Sequence, residues 1–194
     1  NNKTQEEMKE FLGLMLLFFV FACTSDVQPK PKGYLRLEYP KAKYLTFEGL
    51  SDFSFDYNTH AQVKIRSQIT PRLVYPEMKA TLYLNYVPIE NNLDSLLNDA
   101  YKLPYKHISK AESIPEKVFI NDERRVYGTL FSVVGNVASQ HQFFLTDSTH
   151  HFLVGSLYFY ARPNFDSIYP ATVYLQKDII RLMESLNWKG SRLN

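Results

Sequence analysis

One cysteine, seven glycines and one tryptophan in 194 residues leave several common chemistries without material. A single thiol can form no intrachain disulfide and no CxxC pair, and it cannot complete a cysteine-rich zinc site. The glycines are scattered, so there is no Gly-rich phosphate loop and no GxSxG elbow; Gly33, Gly128, Gly135 and Gly155 read as a tether end, strand bends and a turn. The five histidines, at 60, 107, 141, 150 and 151, match no ligand spacing such as HExxH. His150 and His151 are neighbours at a strand entry and would point to opposite faces, so no metal is expected. A formal net charge of +2 is too balanced for nucleic acid. The main apolar run, Phe11–Phe21, is 11 residues, whereas a helix needs about 20 to cross a bilayer.

That run is instead the length of a secretory h-region. Lys9 precedes it, Ala22 closes it, and Met8 offers an initiator, so residues 1–22 are expected to form a signal peptide. The lone cysteine follows at once. Val20-Phe21-Ala22-Cys23 resembles the lipobox of bacterial lipoproteins, with Phe21 where that motif more often has a small or β-branched residue. The resemblance implies a diacylglycerol on Cys23, and more than one acyl chain gives stable membrane attachment. Residues 23–33 carry Pro29 and Pro31 and read as an extended tether. One globular domain is expected over 34–194.

Within it, 34–66 alternates β-favouring residues with turn formers, and residues 78–88 suggest a long strand. Asn92 can cap a helix carrying Leu93, Leu96, Leu97 and Ala100 on one face, with Pro104 ending it. Residues 126–134, 137–146 and 152–161 read as a meander joined by Gly135-Asn136 and "DSTH". Tyr169 to Asn187 reads as a closing helix with Leu175, Ile179, Leu182, Met183 and Leu186 as its buried stripe. The expected class is α+β, an antiparallel β-sheet with packed helices. The element order resembles the Mog1/PsbP-like α/β sandwich.

No catalytic constellation is evident. Ser139 and His141 would share a strand face but lack the exposed turn that activates hydrolase serines. Asp122 and Glu123 beside Arg124 and Arg125 read as a solvated turn. What stands out is an amide-rich strand. Asn136, Ser139, Gln140, His141 and Gln142, with the Asp147-Ser148 turn, form a candidate contact surface; one face of the strand is expected to pack the core, so that at most alternate polar side chains face solvent. Asn164 and Asp166, in the "RPNFDS" segment, are the reserve candidates.

"PKPKGY" after the lipobox, "GNVASQHQFFLTDSTHHFLVGSLYFYARPNFDSIYP" and "DIIRLMESLNWK" resemble the gliding motility lipoprotein GldD family of Bacteroidota. The resemblance implies a non-enzymatic lipoprotein of the cell envelope, needed for gliding and for the linked type IX secretion apparatus. Its partners would be the membrane, through lipid on Cys23, and other proteins of that machinery. No cofactor, metal or nucleic acid is implied. With only Asp26 acidic just after the cysteine, a periplasm-facing anchor is expected. Two other classes stay open: a small-molecule or lipid-binding module with a cleft between sheet and helix, and a cryptic hydrolase.

Overall fold

The computed structural model describes residues 38–48, 52–65, 71–106, 108–160 and 164–189. The signal, Cys23, the tether, His107 and Pro163 lie outside the described residues. In chain order the elements are β1 (Tyr44–Phe47), β2 (Phe53–Asn58), β3 (Gln62–Ile65), β4 (Pro71–Tyr75), β5 (Ala80–Pro88), α1 (Leu93–Tyr105), β6 (Ala111–Ser113) and β7 (Glu116–Asn121). There follow β8 (Val126–Ser132), β9 (Val134–Gly135), β10 (Ser139–Thr146), β11 (His151–Phe159), α2 (Phe165–Ser185) and β12 (Asn187–Trp188).

Seven strands form one antiparallel sheet in the order β3-β4-β5-β11-β10-β8-β7. The expected meander is present as β8, β10 and β11, and the class is α+β as expected. Because paired residues share a face, the register sorts the side chains. Leu130, Phe143, Leu145, Leu157 and Leu82 point one way and join the α2 stripe of Leu175, Ile179, Leu182 and Met183 in the main core. Phe131, Phe144 and Phe152 point the other way and pack with Ala100, Leu93, Leu96 and Leu97 of α1. The sheet is therefore covered on both faces. A Cβ on Gly155, directly across from Phe143, would stand 2.1 Å from that ring, so the glycine makes room for the core phenylalanine.

A second sheet, β1-β2-β12, closes the α2 side. Phe53 and Phe55 of β2 enter the main core, and Trp188 of β12 meets Phe53 edge-on at 6.1 Å. A buried polar joint ties α2 to this layer. Asp178 accepts from Tyr44 Oη (2.8 Å) and Asn58 Nδ2 (2.9 Å), and Tyr174 Oη accepts from the same amide. Burial raises the Asp178 pKa against the opposing pull of these hydrogen bonds.

Two details differ from the sequence reading. The closing helix expected over Tyr169 to Asn187 runs instead from Phe165 to Ser185 as α2, and Asn136 Oδ1 accepts the Phe165 N–H at 2.8 Å. Asn92 stands at the start of α1, but its side chain accepts the Glu90 N–H (2.9 Å) and makes no cap bond to the helix.

Candidate contact surface

The amide-rich strand is β10, and every one of its residues is buried. It lies inside the sheet with α1 over one face and α2 over the other, so both alternating sets of side chains are covered. The expectation that one face of this strand presents polar side chains to solvent is thereby corrected, since Ser139, Gln140, His141 and Gln142 are all buried. Gln140 and His141 have internal partners. Gln140 Nε2 donates to the carbonyls of Gly135 (3.1 Å) and Val137 (3.0 Å), holding the approach to β10. A register shift separates Ser139 from His141, and the serine near the imidazole is instead Ser132, 3.2 Å from Nδ1. His141 Nε2 lies 3.2 Å from the Thr172 carbonyl, so Nε2 carries the proton and Nδ1 accepts from Ser132. Burial pushes this imidazole down to about 4, with the Thr172 carbonyl opposing. A carbonyl stands where a triad needs a carboxylate, and the imidazole is buried beneath α2. The sequence reading missed Ser132 because only the register brings it to His141.

Asp147 is also buried, which corrects its expected place on the surface. It accepts the N–H groups of Thr149 (2.9 Å), His150 (2.8 Å) and His151 (2.8 Å), and the Thr149 hydroxyl (3.0 Å). Burial works to raise its pKa, but these donors prevail and hold it below the usual carboxylate value. Beside it, His151 accepts or donates to Tyr86 Oη at 2.8 Å and stacks on Trp188 at 5.0 Å. Ser148 is exposed at the turn, and Asn136, Asn164 and Asp166 are exposed near the start of α2. No group of three or more His, Cys, Asp or Glu able to hold a metal occurs among the described residues.

Exposed apolar surface lies elsewhere. β7 is an end strand, and among the described residues no strand pairs with its outer edge. Val118 and Ile120, two apart on its α1 side, are each 67 % exposed. Tyr101 and Tyr105 of α1 are exposed as well, and Tyr105 donates to Glu116 of β7 at 2.8 Å. On the other side of β7 a cavity of about 100 Å³ opens between the strand and α2, lined by Phe119, Leu130, Ile180 and Met183 with Lys117 and Glu184. A separate open depression of about 420 Å³ is lined by Tyr83, Tyr158, Phe159 and Tyr160. Arg72, paired with Tyr83 across the sheet, has a buried Nε with no hydrogen-bond partner in the structure. No helix among the described residues is long and apolar enough to cross a membrane.

No protein of curated function matches the chain. The model of the family described as "Gliding motility lipoprotein GldD" matches residues 24–188, from the residue after Cys23 to the end of β12 and so across every described strand and helix. The chain belongs to the gliding motility lipoprotein GldD family.

Proposed function

We propose that this chain supports gliding motility and the linked type IX secretion apparatus by contact with other proteins of that machinery, held at the membrane by lipid on Cys23 with its folded body facing the periplasm. Members of the family are envelope lipoproteins and not enzymes. The observation that carries the contact reading is the apolar strip at the sheet edge: two β-branched residues 67 % exposed beside two exposed tyrosines. Isolated exposed apolar residues are ordinary, but a contiguous strip is the mark of an interaction site. Asn136, Ser148, Asn164 and Asp166 remain candidate polar contacts.

The test is the double variant Val118→Asp/Ile120→Asp in cells. Both positions are exposed, where substitutions usually change stability by less than about 0.5 kcal/mol. Wild-type abundance with lost spreading and lost secretion supports the reading; normal motility at wild-type abundance overturns it. In parallel, Cys23→Ala is expected to release the protein from membranes, because acyl burial is the membrane term the reading relies on. Unchanged fractionation would remove the anchor from the proposal.

The 420 Å³ depression favours a second reading, a small-molecule or lipid-binding module. Its ring-lined floor suits a ligand with an apolar body. Tyr158→Ala with unimpaired motility would dismiss it.

A further inference from the structure

The two ends of the seven-stranded sheet are built differently. β3 has four described residues, with Gln62 and Lys64 on its α1 side and an exposed Ile65 on the other; outward charge is a usual defence of an open edge. β7 has six residues and puts Val118 and Ile120 in the corresponding positions. Its outer backbone donors and acceptors are left to water unless another extended chain pairs with them.

Both sides of that edge are prepared for an added strand. On the α1 side, Val118 and Ile120 would flank the incoming side chains at the two-residue spacing of a strand. On the α2 side, the cavity bounded by Phe119, Leu130, Ile180 and Met183 lies under the same strand. Cavities of about 150 Å³ in other proteins hold benzene, so about 100 Å³ suits one aliphatic side chain and rejects a tryptophan. The charge at the rim is mixed, so apolar shape rather than charge selects the occupant. Glu116 and Glu123 are exposed at the two ends of β7, Lys117 and Glu184 stand together at the cavity mouth, and the charged Arg124 and Arg125 guanidinium groups are tied to the Glu184 carbonyl (3.1 Å) and to Asp147 O and Thr149 Oγ1.

We infer that β7 is the docking site for an extended segment of a partner protein, which adds to the sheet as a further strand. Two apolar side chains lie beside Val118 and Ile120, and the aliphatic one between them fills the cavity. Strand addition is a general mode of recognition, with affinity from main-chain bonds and selectivity from alternate side chains. The inference rests on the contact reading and names the chemistry of the partner.

The experiment uses the full-length acylated protein in cells. The photo-crosslinking residue p-benzoylphenylalanine replaces Val118, Ile120, Ile65 or Tyr160 in turn, and adducts are mapped by mass spectrometry. The expected result is that adducts from 118 and 120 fall on a single partner segment, at positions two residues apart. Filling the cavity with Ile180→Phe is expected to cut that yield at least tenfold; if its abundance drops, Ile120→Lys with the crosslinker at 118 serves as the surface variant. Adducts at helical spacing, or scattered over several segments, overturn strand addition. Adducts from Tyr160 or Ile65 with none from 118 and 120 also overturn it, while leaving the contact reading intact. Silence at all four positions counts against both.

Discussion

His141 makes acid stability a test of the buried strand. The imidazole is neutral in the folded protein, with a pKa of about 4 against 6.5 when free. Below 6.5 the unfolded chain takes up a proton that the folded chain refuses, so this residue's contribution is intact above pH 6.5 and is lost as pH falls toward 4. The full gap is worth about 3 kcal/mol, and roughly 2 kcal/mol of it is gone by pH 5. Gln at 141 retains a donor for the Thr172 carbonyl and an acceptor for Ser132 but does not titrate. Urea unfolding at pH 7.5 and pH 5.0, followed by fluorescence of the sole tryptophan, Trp188, measures each chain. His141→Gln should lose about 2 kcal/mol less than wild type over that interval. Asp147 and His151, both held low, and Asp178, held high, titrate in both chains and cancel in the difference. Parallel losses in the two proteins, or an imidazole that titrates near 6.5 by NMR, would refute the assignment.

Gly155→Ala drives a Cβ to within 2.1 Å of the Phe143 ring and should cost about 3 kcal/mol in urea unfolding. Adding Phe143→Leu should recover part of that loss, and purely additive losses would show that the two sites are not in contact. Asp147→Ala strips three backbone N–H groups and one hydroxyl of their acceptor and should cost about 2 kcal/mol at pH 7. The wild-type advantage should fade as pH drops through the carboxyl's depressed pKa, and a constant advantage down to pH 2 would disprove the turn clamp.

The elements that carry a period could be read before the structure. Leu175, Ile179, Leu182 and Met183 declare a helix face, and all are buried against the sheet. The three long strands of the meander likewise declared themselves by length and by their turns. β7 escaped because Lys117-Val118-Phe119-Ile120 carries no clean alternation: the strand sits at an edge, where apolar residues occur on the covered and the open side alike. The polarity of β10 misled for a complementary reason. Gln140 and His141 look like surface residues until the carbonyls of Gly135, Val137 and Thr172 are in place, and those come from segments the pattern cannot bring together. A one-face reading of an antiparallel strand fails where α1 covers the second face.

The layer formed by β1, β2 and β12 joins chain positions far apart in synthesis. Asn187 pairs with Ser54 and Trp188 with Phe53, and Tyr44 reaches Asp178 across 134 residues. A ribosome finishes β1 and β2 long before it makes their partners, so Phe53 and Phe55 have no α2 stripe to bury against until the last turns of that helix emerge. Closing so large a loop costs entropy before any contact repays it, which makes this seam a late event in folding. A chain that stops before α2 would hold paired strands with that face of the sheet uncovered, and one that stops between α2 and Trp188 would lack only the β12 end of the seam.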